Sequence, residues 1–243
     1  MNKVLAMVMA AAVAALPACS RASGEPAGPA VQRSFAVGGF ERIAVSGPYR
    51  VEVRTGGAPG ARAEGPQEAL ERLVVEVRGD ELRIHPRKES WMGFGSGASR
   101  HGEVRLTVTV PRLSAARIAG SGDMSIDKVE GERFEGAVAG SGNLDLAAIE
   151  VGELKLAVAG SGDVRAGRGR ARTIEFKIAG SGDVDAAAVA SETASVSIAG
   201  SGNLRAQASR AAEVKIAGSG DVELSGGARC SVSKAGSGNV RCS

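Results

Sequence analysis

The chain is poor in aromatic rings. It holds one Trp, one Tyr and five Phe in 243 residues, where large rings usually carry much of a globular core. Abundant Val, Ile, Leu and Ala point instead to a thin core of stacked aliphatic side chains. Histidine is also scarce, and neither His85 nor His101 has Cys or His at metal-ligand spacing. The net charge is only +3, with Arg and Glu interleaved. No basic patch stands out, which argues against a nucleic-acid binder. Beyond the first twenty residues no apolar run is long enough to span a bilayer.

Those first residues are of another kind. MNK gives a positive start, VLAMVMAAAVAAL is an apolar run too short for a mature membrane span, and PACS follows. The pattern fits a secretory signal over 1–18. Leu16-Pro17-Ala18-Cys19 resembles the bacterial lipoprotein box, in which Cys19 is lipidated. The competing reading is a secreted protein cleaved near Ala18. A lipid on Cys19 would make the membrane a partner, and Ser20 after it resembles outer-membrane sorting. Pro, Gly, Ser and Ala then dominate, so 19–33 reads as lipidated Cys and flexible tether. Of the other cysteines, Cys230 and Cys242 are expected to bridge in an oxidising compartment. The bland alternative is two buried free thiols.

What the chain has in plenty is one pentapeptide. AGSG followed by Asp or Asn begins at Ala119, Ala139, Ala159, Ala179, Ala199, Ala217 and Ala235. A period near 20 marks a solenoid whose units bury their apolar faces against their neighbours. The flanks decide the type of element. Leu156 and Val158, Phe176 and Ile178, or Leu144 and Leu146 are spaced by two, which is the strand period. The prediction is an all-β, single-stranded β-helix of about nine coils. The glycines permit positive φ at a corner, and corners then stack about 4.8 Å apart. The residues Asp123, Asn143, Asp163, Asp183, Asn203, Asp221 and Asn239 should form a ladder there, each folding back onto its own turn.

Both ends carry signals. Where earlier units place Ile or Val, the last has Lys234, which suits a terminal coil meeting solvent. RIAVSGPYRV from Arg42 aligns with RIAGSGDMSI from Arg117, placing Tyr49 with Met124 and Val51 with Ile126. Alternating runs at Tyr49 to Val53, Leu73 to Val77, Glu81 to Ile84 and Val104 to Val110 read as irregular early coils. PQEALERL from Pro66 allows one short helix. The domain is thus 34–243, with early coils over 34–113 and regular coils over 114–243.

FERIAVSGPYRVEVR, VRLTVTVPRL and the serial AGSGD and AGSGN corners together resemble the auto-transporter adhesin head family known as the GIN domain. The resemblance spans about residues 34 to 243 and rests on the order of the elements. It implies a right-handed β-helix in an exported, often lipid-anchored bacterial protein, and it brings no catalytic residues.

The corners also invite comparison with the calcium-binding β-roll. That motif recurs every nine residues, calcium wants six or more oxygens, and three of the seven corners offer Asn. A stabilising ladder is therefore expected, with no metal and no cofactor. Carboxylates that recur periodically suggest structure rather than a glycosidase pair, so no catalytic residue is assigned. HPRKESWMGFGSGASRHG at 85–102 departs from the pattern. It is either a loop folded back on the first coils or a contact patch with Trp91, Phe94, Arg87 and Lys88 as candidates. The expected role is a non-enzymatic envelope lipoprotein, adhesin-like or scaffolding, whose partner is a glycan or an envelope protein. The alternative is a carbohydrate-binding or carbohydrate-processing protein.

Overall fold

Apolar residues at every second position make the regular part of the chain strand almost throughout. A computed structural model describes residues 30–87 and 102–243. The signal, Cys19, most of the tether, Lys88, Trp91 and Phe94 lie outside the described residues. The strands are β1 (Ala30–Phe35), β2 (Arg42–Ser46), β3 (Arg50–Thr55), β4 (Gly60–Pro66), β5 (Leu73–Arg78), β6 (Glu81–Pro86) and β7 (Arg105–Val110). The regular region then runs β8 (Ala115–Gly120), β9 (Asp123–Ile126), β10 (Val129–Gly140), β11 (Leu144–Gly160), β12 (Val164–Gly180) and β13 (Val184–Ala186). It ends with β14 (Val189–Gly200), β15 (Leu204–Gln207), β16 (Ala211–Gly218), β17 (Val222–Ser225), β18 (Arg229–Ala235) and β19 (Val240–Cys242).

Each regular coil lies parallel on the one before, so residue i pairs with i + 20. Leu144 meets Val164, Leu156 meets Phe176 and Val158 meets Ile178. The β11–β12 pairing lapses only at Ala147 and Gly152 with their partners Gly167 and Arg172. Those bends divide a coil into three strand segments, the last leading to the corner. Inward columns such as Met124, Leu144, Val164, Val184, Leu204 and Val222 are fully covered. Burying such aliphatic side chains contributes roughly 1.5–3 kcal/mol each. The result is a β-solenoid of about six turns of roughly 20 residues.

The corner needs glycine twice, for different reasons. Gly160 has φ +131°, which side chains rarely adopt. Gly162 has no such demand, but a Cβ on it would strike the carbonyl oxygen of Gly142 in the coil below. Close stacking thus excludes a side chain at the second glycine.

The late 18-residue coils drop one short segment. Thr193 pairs with Ala211, and Val184 with Leu204, so nine residues separating the faces become seven. The interior narrows with them: the column Phe134, Leu154, Ile174 continues as Ala194, Ala212 and Cys230. In the last coil Cys230 and Cys242 reach each other across this narrowed interior, with Cα atoms 6.7 Å apart, and are disulfide-bonded. Lys234 stacks on Ile216, lies exposed, and donates from Nζ to the Gly238 carbonyl at 2.7 Å. A cation at this position discourages strand addition.

The amino-terminal half departs from expectation. β2 and β3 do stack parallel on β8 and β9, and β6 and β7 stack parallel on β2 and β3. However, β4 runs antiparallel to β7, β1 antiparallel to β4, and β5 antiparallel to β6. The nine expected coils are therefore about six regular turns closed by antiparallel strands. Gly79, at φ +64°, and Asp80 alone join β5 to β6, and so short a link forces a hairpin. The expected tether also ends early. β1 begins at Ala30 because Val31 and Phe35 pack against the core. The short helix α1 (Gln67–Glu71) follows β4.

The early copy pairs two residues away from the expected register. Val51, not Tyr49, lies beside Met124, and Val53 beside Ile126. A shift of two keeps every side chain on its own face, so the apolar pattern fits both registers. Gly47 then meets Gly120 in the stack, its N–H donating to the Ala119 carbonyl at 3.0 Å.

Candidate functional site

The Asx residues form a ladder between coils rather than within turns. Asp183 Oδ1 accepts from the Asn203 backbone N–H at 2.8 Å and from its side-chain amide at 3.0 Å. Asn203 Oδ1 in turn accepts from the Asp221 N–H at 3.0 Å. The same linkage joins Asp123 to Asn143, Asn143 to Asp163, Asp163 to Asp183, and Asp221 to Asn239. The expected fold-back onto each residue's own turn does not occur. The turn N–H groups are already used: Ser161 and Gly162 both donate to the Gly140 carbonyl. Each side chain therefore reaches the next coil. Arg50 heads the column, paired in register with Asp123 and 3.9 Å from its carboxylate.

Two further outward faces are charged. On the segment before the corner, Arg133, Glu153, Lys155, Glu175 and Lys177 form a connected network with N–O distances of 2.6 to 3.3 Å. Lys155, then Arg133, holds the Glu153 carboxyl below its ordinary value, and Lys177, then Lys155, does so for Glu175. Those carboxylates raise the Lys155 ammonium in return. On the segment after the corner, Asp145, Arg165, Asp185, Arg205, Glu223 and Arg241 lie in one column of alternating sign. Here only Arg205 and Glu223 form an ion pair among the described residues, at 3.6 Å.

Ser125 is the short member of this second face. Two shallow depressions, of about 350 and 410 Å³, share Ser125, Asp145 and Arg165 on their walls. Arg50, Asp123, Asn143 and Asp163 border one, and Glu52, Asp127 and Gly167 the other. A third, of about 660 Å³, lies over Thr173, Thr193 and Ala211 beside Glu153, Glu175, Glu213 and Arg229. The first of these open hollows is lined mainly by polar groups, which suits hydroxyl-rich or charged ligands better than apolar ones.

Of the loop candidates only Arg87 is described. It is exposed, and its N–H donates to the Arg72 carbonyl at 2.8 Å. Among the described residues no group of three or more His, Cys, Asp and Glu is placed to hold a metal, and no helix is long and apolar enough to cross a membrane. The alternating column escapes a reading of the sequence because its members stand 18 to 20 residues apart. The signal is there once the coils are aligned on AGSG: after Ser125 in the first coil, the second residue after the Asx reads Asp, Arg, Asp, Arg, Glu, Arg.

Comparison with known proteins agrees with this geometry. Residues 39–228 match the family model described as "Putative auto-transporter adhesin, head GIN domain". No curated protein matches the sequence. A putative adhesin from Bacteroides fragilis superposes with TM-score 0.80 at 21% identity, covering 89% of this chain and 98% of that one. A putative lipid binding protein from Parabacteroides distasonis gives 0.69 at 24% identity, covering 89% and 97%. A putative adhesin from Parabacteroides merdae gives 0.65 at 14% identity, with the same coverage. Identities this low speak for the fold alone.

Proposed function

The chain belongs to the auto-transporter adhesin head GIN domain family, and from that membership we propose that it is a non-enzymatic, adhesin-like module of the cell envelope. The stack is the observation that carries this reading. Hydrogen bonds within the ladders and a continuous aliphatic core make a rigid body, and the variable residues sit in outward columns where a partner reaches them. Catalysis requires convergent groups, whereas these charges are spread along the coil axis at the inter-coil step. The signal-like start and the Cys19 motif support export and a lipid anchor, most simply at the outer membrane. The residues between Cys19 and β1 would then link the solenoid to the bilayer.

A second reading, recognition of a saccharide, draws on the depression over Ser125. Carboxylates of Asp145 and Asp163 and the guanidinium groups of Arg50 and Arg165 offer acceptors and donors for paired hydroxyls. The test is a glycan and envelope-extract binding screen with the full chain, beside a Trp91→Ser/Phe94→Ser variant and an Arg165→Ala variant. Binding that fails only in the first variant locates contact in the 85–102 segment. Binding that fails only in the second favours the saccharide reading. Absence of binding by the unaltered chain to any envelope component contradicts both.

A further inference from the structure

The column Asp145, Arg165, Asp185, Arg205, Glu223, Arg241 has a property that its sequence order alone creates. This run of six alternates in sign, so its reverse is its electrostatic complement; the column continues beyond Asp145 with Ser125 and Glu52, outside the run. We propose that this face is a homotypic contact surface, and that its partner is a second copy of the chain lying antiparallel. The proposal rests on the adhesin-like reading and names the partner.

The geometry works through a half-turn about an axis in the face, along the strands, between the coils of Asp185 and Arg205. That rotation reverses the order of coils but leaves each outward column opposite its own counterpart. Asp145 then faces Arg241 of the second copy, Arg165 faces Glu223, and Asp185 faces Arg205. The symmetric contacts repeat these, so every member of the run meets opposite charge. Stacked coils place the six residues along roughly 24 Å at the inter-strand step. The adjoining outward positions Ala147, Gly167 and Ala187 are small, so that Ala187 meets Gln207 and Gly167 meets Ser225 of the second copy and the charged tips can approach. One like pair, Asp163 against Asp221, falls at the edge. Both carboxylates there already accept a backbone N–H, from Asp183 and Asn239.

A second observation separates this column from an ordinary intramolecular ion ladder. The Arg133 to Lys177 network shows what such a ladder looks like when its charges are used within the molecule. In the alternating column Asp145, Arg165 and Arg241 make no ion pair among the described residues. Arg205 and Glu223 pair only at 3.6 Å, with side chains 67% and 55% exposed. Asp185 accepts only the N–H of Ala187, at 3.2 Å. These charges are left pointing at solvent in complementary order.

Exposed ion pairs are individually weak and screened by salt. Free copies therefore pair weakly, and the contact gains strength where many copies face one another. Antiparallel pairing sends the two amino termini in opposite directions, the arrangement needed for chains held on two facing surfaces.

The test uses beads carrying the full chain by its N-terminus, with clustering followed by light scattering. Beads should cluster at 50 mM salt and disperse at 500 mM. Asp185→Arg, which sets like charges against each other, should reduce clustering about tenfold. The swap Asp185→Arg/Arg205→Asp should restore it. That swap recreates complementarity between copies while destroying alternation within the column, so a purely internal role predicts further loss. If Asp185→Arg fails to fold by far-UV circular dichroism, Arg165→Asp and Arg165→Asp/Glu223→Arg pose the same question. Clustering that the swap does not restore overturns the proposal, as does a wild-type chain that never clusters at low salt. Beads that bind envelope extract without clustering would leave the adhesin-like reading intact and remove only the homotypic partner.

Discussion

Asn143 donates twice to one oxygen of Asp123, through its backbone N–H at 3.1 Å and its side-chain amide at 2.8 Å. This doubled contact recurs wherever Asn follows Asp in the column, at Asn203 over Asp183 and Asn239 over Asp221. It ties consecutive coils at the corner, where glycine gives no side-chain packing. Asp183→Ala should cost about 1 kcal/mol, a charged acceptor's worth discounted for its exposure. Asp183→Asn keeps the acceptor and should stay within about 0.5 kcal/mol of wild type. Urea unfolding measures both. The ladder needs no metal, so a chelator should leave the melting temperature unchanged.

Tyr49 takes the place of the second corner glycine in the early copy, between Gly47 and Arg50. It is 5% exposed, and burial pushes its phenol up to about 12. A raised value means that the unfolded chain loses its proton first. Stability from this residue is intact below pH 10 and lost as pH climbs from 10 towards 12. It is the only tyrosine, so absorbance at the phenolate band reports it alone. The native chain should titrate near 12, and the denatured chain near 10. Coincident curves would show that the ring is solvated.

The Cys230–Cys242 bridge closes a loop of separation 12, and by loop entropy it contributes about 3 kcal/mol. Its effect should be local. β18 and β19 pair on one side only, and Val232 is 47% exposed. A Cys230→Ser/Cys242→Ser variant should fray this final coil first. Hydrogen exchange should quicken in 229–243 and stay slow in β11 and β12. Uniform quickening would mean that the bridge supports the whole stack.

The Arg133 to Lys177 network sets a pH dependence at the acid end. Glu153 and Glu175 have lowered folded values, so the stability they add is present above the ordinary carboxylate value, roughly 4.3. It is lost as pH falls through their lowered values. The melting temperature should therefore decline as pH falls below about 4.3. Lys155→Met, which removes the ammonium shared by both carboxylates, should flatten part of that decline. An unchanged profile would show that the ion pairs are fully screened by solvent.

Much of the fold is legible in the residues because its two periods are both visible. Alternation marks the strands at Leu156 and Val158, and the 20-residue return of AGSG marks the corners. What escapes a linear reading has definite causes. The two-residue error at Tyr49 arises because strand side chains repeat every two positions, leaving Val51 and Val53 equally at home in either register. The antiparallel start hangs on the short Gly79-Asp80 link, a small signal inside a long alternating stretch. The ladder's direction depends on which N–H groups the turn has already used. For the candidate surface, each of Asp145, Arg165 and Asp185 looks like a scattered charge until the coils are stacked.

Retention of cells under flow would show whether this solenoid acts as an adhesive module of the envelope. Cells producing the full chain, cells lacking it and cells producing a Cys19→Ala form would be passed over surfaces coated with the chain or with envelope extract. Retention of the first population should be several-fold higher on at least one surface, with loss in the other two. Equal retention of all three on both surfaces would contradict that role.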